Sequence, residues 1–196
     1  DTTGPGLSKR KIRNALIILG VLVFSKYFYI ASMTNYFTFF LMDKFAFSVQ
    51  DAQYSLFAFL AASAAGTVIG GPVGDRIGRK YVIWGSILGA APFTLMLPYA
   101  GLTGTIVLAV IIGLVISSAF SAILVYATDL MPGKVGMIAG VFFGLMFGLG
   151  GLGSAFFGWL ADRTSIEFIF RVSTLLPLLG IITGFLPNIE LKRDEK

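Results

Sequence analysis

Gly71-Pro72-Val73-Gly74-Asp75-Arg76-Ile77-Gly78-Arg79-Lys80 is the stretch on which the fold turns. Residues 52–73 before it and 81–99 after it are predominantly apolar. A run of about 20 such residues is long enough to cross a bilayer as a helix. The charged stretch therefore reads as a short turn between two membrane helices. Its glycines permit a tight turn and close approach of backbones. Asp75 is suited to face the positive N-terminal end of a neighbouring helix. Arg76, Arg79 and Lys80 suit lipid headgroups and nearby carboxylates.

Working outward, the same G-x-x-x-D-R pattern recurs at Gly158-Trp159-Leu160-Ala161-Asp162-Arg163. Apolar runs occur at 14–41, 52–73, 81–99, 104–127, 135–157 and 166–187, the first long enough to need tilt or a local break. They show no period-2 alternation, which argues against a barrel. Each copy of the motif follows the middle helix of a group of three. Three is odd, so the groups cross in opposite directions, as in an inverted-topology repeat. Turn chemistry alone is the competing explanation, since Gly and Asp both favour helix ends. The expected fold is an all-α membrane protein, six helices in two inverted three-helix repeats.

Composition agrees. The 196 residues are 56% hydrophobic and 13% charged, with 24 glycines. Apolar residues plus glycine come to roughly 65%, against roughly 45–50% in soluble domains. There is no cysteine and no histidine, which removes disulfides, thiolate zinc sites, and Ser-His or Cys-His catalysis. No cofactor, metal site or catalytic group is expected. The net charge of +5 sits in short loops, so membrane orientation explains it better than nucleic acid does.

Orientation follows from the loop cations. One side holds Lys9, Arg10, Lys11, Arg13, Arg76, Arg79, Lys80, Lys134, Lys192, Arg193 and Lys196, and the other only Lys44 and Arg163. The positive-inside rule puts both termini in the cytoplasm. The division expected is a basic linker at 1–13, a membrane domain at 14–190 and a tail at 191–196. Beginning at Asp1 rather than methionine, the chain reads as cut from something longer.

Small residues recur every fourth position in two columns: Ala58, Ala62, Gly66, Gly70 and Gly74, then Gly136, Gly140, Gly144 and Gly148. Each is a smooth face where another backbone can approach, either for static packing or for sliding.

The turn at 71–80 matches G-x-x-x-D-R-x-G-R-K, the loop motif of the major facilitator superfamily. Asp129-Leu130-Met131-Pro132-Gly133-Lys134-Val135-Gly136 resembles a corresponding loop of that superfamily, though a plain turn explains it almost as well. Phe24-Ser25-Lys26-Tyr27-Phe28-Tyr29, Gly66-Thr67-Val68-Ile69-Gly70-Gly71-Pro72-Val73-Gly74-Asp75 and Ala119-Phe120-Ser121-Ala122-Ile123-Leu124-Val125-Tyr126 look like the fosmidomycin resistance family of bacterial drug exporters. The likeness covers about residues 16 to 190, the C-terminal half of a twelve-helix transporter. It implies an inner-membrane efflux pump of a phosphonate antibiotic, exchanging drug for protons by alternating access. Its partners would be the bilayer, the solute, protons, and the N-terminal six-helix half or a second copy of this half. Gly71, Asp75, Arg76, Gly78, Arg79, Lys80, Asp129, Asp162 and Arg163 are the candidate gating residues.

Lys26 is about 20 Å along the helix from Arg13, near mid-membrane. Ionisable groups at that depth are costly and usually face a wet cavity or a partner. Tyr29, Met33 and Tyr36 continue roughly its face. The expectation is an ammonium pointing into a cavity open to the absent half, serving an anionic, partly apolar solute. A structural ion pair with the missing half is the alternative, and a neutral lysine another. Ser117 and Ser121 share a face with Gly113 and are candidates for the same cavity, although membrane serines more often bond their own backbone. Arg171 and Glu167 read as a structural i,i+4 pair. No acid falls at mid-depth, so any proton-coupling carboxylate is expected elsewhere. An uptake carrier or a non-transporting assembly subunit are the competing functions.

Overall fold

The computed structural model describes residues 7–187. The tail at 191–196, with its three cations, lies outside the described residues, as does the first part of the 1–13 linker. Six spans are long and apolar enough to cross a membrane: Lys9–Phe45, Val49–Ile77, Arg79–Tyr99, Leu102–Leu130, Pro132–Ala161 and Ile166–Phe185. No strand occurs among the described residues. The helices are α1 (Lys9–Phe45), α2 (Val49–Ile77), α3 (Arg79–Met96), α4 (Leu102–Ser117), α5 (Ala119–Leu130), α6 (Val135–Ala161) and α7 (Ile166–Ser173). Short 3₁₀ turns extend α3 through Leu97–Tyr99 and precede α6 at Pro132–Lys134. The sixth span continues beyond α7 as a 3₁₀ stretch, Leu176–Phe185.

Local sequence explains the ends. Ser8, Ser48 and Ser165 cap α1, α2 and α7, each hydroxyl accepting from the backbone N–H three residues on, which satisfies an otherwise orphaned donor. Gly78 joins α2 to α3 at φ 102°, a conformation that a Cβ disfavours. Of the two expectations for the first span, a tilt or a local break, the break does not occur: it is one unbroken helix of 37 residues. At about 1.5 Å per residue it reaches roughly 55 Å, longer than a whole bilayer, so it extends past both sides of the core or tilts. The break falls instead in the fourth span, at Ser118. There the Ser118 hydroxyl donates to the Val115 carbonyl at 2.6 Å and pairs with the Ser86 hydroxyl, offering the backbone an alternative to the helical ladder.

The packing has the symmetry of the repeat. Span 1 packs on span 5 as span 4 packs on span 2; span 1 meets span 6 as span 4 meets span 3; spans 3 and 6 meet each other. Exchanging spans 1, 2 and 3 for 4, 5 and 6 maps this pattern onto itself. Spans 2 and 5 are also the two most open to the surroundings. The pattern is that of two three-helix groups exchanged by a pseudo-two-fold, as the motif repeat implies.

The two glycine columns have opposite fates. A Cβ on Gly66 would lie 2.1 Å from the Leu114 carbonyl oxygen, and one on Gly70 2.1 Å from that of Ser118. Here α2 crosses the fourth span with backbones in contact, where only glycine fits. Gly136, Gly140, Gly144 and Gly148 meet nothing within 4 Å.

Candidate functional site

Lys26 sits on α1 between two apolar clusters, one holding Leu19, Leu22 and Val23, the other Tyr29, Met33 and Phe37. It is 1% exposed. Its ammonium lies 5.4 Å from the Tyr27 ring centre and 5.5 Å from that of Phe120. No acceptor among the described residues bonds it, and none of the ion pairs there involves it. The expected opening toward an absent half is therefore corrected: the chain covers the ammonium itself. Phe120, near the start of α5, supplies part of that cover.

The structure divides the other candidate solute residues. Tyr29 and Met33 are fully buried in the second cluster, and the Tyr29 hydroxyl bonds nothing among the described residues. Tyr36 is tied to α6, donating to the Ser154 carbonyl at 2.8 Å, beside a bond of 2.7 Å from Asn35 to the Ser154 hydroxyl. Ser117 is buried at the crossing with α2, its carbonyl accepting from Thr67 at 3.5 Å. The buried Ser121 hydroxyl faces Gly71, 3.7 Å from where a Cβ would stand, and has no partner among the described residues. The Ser117 carbonyl and the Ser121 hydroxyl thus face α2, whereas Phe120 of the same span meets Lys26. Sequence spacing put all six residues around one cavity; the folded chain does not.

The charged turn is a three-helix clamp. Arg79, at the start of α3, reaches Asp75 of α2 at 3.3 Å and also pairs with Asp129 of α5. Lys80 bonds the Gly184 carbonyl at 3.2 Å and that of Leu186, holding the end of the sixth span. Tyr126 donates to the Pro187 carbonyl. These last two ties escaped the sequence reading, because backbone acceptors leave no mark in a sequence. Asp75 is exposed beyond its one pair, and Arg76 is exposed with no bond to the described residues. The second motif copy behaves differently. Arg163 donates to the Trp159 carbonyl at 3.3 Å and lies 4.4 Å over its ring, with no ion pair to Asp162. Glu167 and Arg171 form the expected pair at 2.7 Å.

A family model, Major Facilitator Superfamily, matches residues 16–196. The chain belongs to the major facilitator superfamily. It is similar to the fosmidomycin resistance protein of Escherichia coli (strain K12), 63% identical over 182 residues, 93% of this chain and 45% of the relative. It is also similar to the uncharacterized MFS-type transporter YfnC of Bacillus subtilis (strain 168), 41% identical over 160 residues, 82% of this chain and 39% of that protein. A tetracenomycin C resistance and export protein of Streptomyces glaucescens is 24% identical over 143 residues, 70% of this chain and 26% of that protein. The chain spans less than half the length of these curated relatives. No solved structure matches it significantly. Six spans and superfamily membership make this a multi-pass membrane protein.

Proposed function

We propose that the chain is the C-terminal half of a secondary transporter that exports a small anionic drug of the phosphonate class, by proton antiport and alternating access. In this reading it lies in a bacterial inner membrane with both termini cytoplasmic, completed by an N-terminal six-helix half. Lys26 carries the reading: a lysine buried at mid-helix that no described residue bonds or pairs with is placed where ionisable groups in membrane helices commonly serve a substrate. The resistance and export functions named for two relatives support the direction, and the asymmetry of loop cations supports the orientation. The aromatic cover over Lys26 fits a conformation in which the site is closed. Movement of α5 against α1, at the break by Ser118, would open it. The Arg79 clamp, joining α2, α3 and α5, is the element such a movement would have to strain or release.

The test is fosmidomycin resistance and everted-vesicle transport by the intact protein and its Lys26 variants. Lys26→Gln keeps length and hydrogen bonding without charge, and is expected to abolish export while insertion survives. Lys26→Arg keeps charge with different donor geometry and is expected to retain part of it. Equal transport by Lys26→Gln overturns the role given to the ammonium, and accumulation of drug in right-side-out vesicles but not in everted ones overturns the direction.

A further inference from the structure

A groove of about 300 Å³ runs between α2 and α3, away from Lys26. Its walls are Ile69, Val73 and Ile77 of α2 with Tyr81 and Gly85 of α3, and its floor is the fourth span around Ser118. The surface is almost wholly apolar. The two hydroxyls at its floor, Ser86 and Ser118, bond each other, so neither asks for a ligand atom. Ile69, Ile77 and Tyr81 are more than half exposed. The groove therefore opens sideways, away from the other described spans.

Its dimensions and its charged end say what fits. The α2 wall runs from Gly66 to Ile77, roughly 17 Å at 1.5 Å per residue. That is about half of a hydrocarbon core of roughly 30 Å, one leaflet deep. The end by the α2–α3 turn carries Arg76, one residue from the wall and exposed. The neighbouring charges are otherwise engaged: Asp75 with Arg79, Arg79 with Asp129, and Lys80 with the carbonyls of the sixth span. Arg76, which no described residue bonds, stands at the end of the groove that the positive-inside asymmetry places toward the cytoplasmic headgroups. Arginine matches the planar geometry of a phosphate better than lysine does.

We infer that this groove is a binding site for one acyl chain of an anionic glycerophospholipid from the leaflet facing the α2–α3 turn, with its phosphate on Arg76. The lipid braces α2 against α3 beside the Arg79 clamp. Because Gly66 and Gly70 close α2 onto the fourth span at the groove floor, the site exists only while that crossing stays tight.

The intact protein is reconstituted in nanodiscs of phosphatidylcholine containing a trace of photoactivatable phosphatidylglycerol or phosphatidylcholine, labelled in the acyl chain, and cross-linked peptides are mapped. Labelling is expected at residues 69–85, with about a five-fold excess of phosphatidylglycerol, the equivalent of about 1 kcal/mol for one arginine near a charged surface. Arg76→Gln, an exposed change, should bring the ratio near one. Gly85→Leu should reduce labelling of the groove with either lipid. A Cβ at Gly85 meets nothing within 4 Å among the described residues, so a side chain there starts into the groove without a backbone clash. Labelling spread evenly over the exposed spans, equal labelling by both headgroups, or cross-links to another polypeptide in place of lipid would each overturn the assignment.

Discussion

Replacing Gly70 with alanine tests the crossing that holds the two three-helix groups together. The added Cβ would stand 2.1 Å from the Ser118 carbonyl oxygen and 2.7 Å from the Ser118 Cα. Ordinary contact begins near 3.4 Å, so the helices must separate by about 3.4 − 2.1 = 1.3 Å at this point. Both obstructing atoms are backbone, and no side-chain rotation relieves them. Overpacking of this kind costs about 1–3 kcal/mol, offset by up to about 1 kcal/mol because alanine favours the helix more than glycine does. A net loss of about 1–2 kcal/mol lowers the melting midpoint by roughly 2–8 °C for a chain of this size. Gly144→Ala is the control: its Cβ meets nothing within 4 Å, so it should be neutral or slightly stabilising. Melting of both variants, followed by fluorescence-detected size-exclusion in one detergent, checks the pair. If Gly70→Ala melts with the parent, or Gly144→Ala melts as early as Gly70→Ala, the close crossing does not exist as described.

Gly66→Ala should behave like Gly70→Ala, since its Cβ meets the Leu114 carbonyl oxygen at the same 2.1 Å; the double variant should melt lower than either. Asp129→Asn removes the charge that Arg79 meets on α5. Because the carboxylate is part-exposed, stability should change by less than about 1 kcal/mol, while drug resistance at equal expression should fall. Tyr126→Phe leaves the Pro187 carbonyl without its hydroxyl donor, a loss of about 0.5–1.5 kcal/mol measurable as a lower melting midpoint.

Much of the fold is written in the sequence because the bilayer imposes it. A helix must satisfy its backbone internally, so runs of apolar residues read directly as spans. The turn at 71–80 is equally legible, since a glycine with positive φ and a cluster of charges leave a local mark. What the sequence hides is whatever depends on a partner helix. The two glycine columns share one spacing, yet Gly66 and Gly70 lie in backbone contact while a Cβ on Gly140 or Gly144 meets nothing within 4 Å among the described residues. Spacing shows that a helix can be approached, not that it is. The break at Ser118 was hidden for a similar reason: Ser118 looks like any membrane serine until Ser86 is found opposite it.

The two origins for the charge that compensates Lys26 differ in an observable besides transport. If an acid of another six-helix half is the partner, Lys26→Gln leaves that carboxylate buried and unpaired. Removing one member of a buried pair costs about 3–5 kcal/mol, so the intact protein should melt several degrees lower with or without drug. If the solute supplies the charge, the resting protein loses only an ammonium that no described residue bonds. Its melting midpoint should then hold or rise. The parent protein should be stabilised by fosmidomycin in proportion to the logarithm of its concentration above the dissociation constant, and Lys26→Gln should not be. Melting curves of both proteins over a drug titration separate these cases. A destabilised Lys26→Gln that still responds to drug would assign Lys26 to the architecture, and move the anion site to other residues.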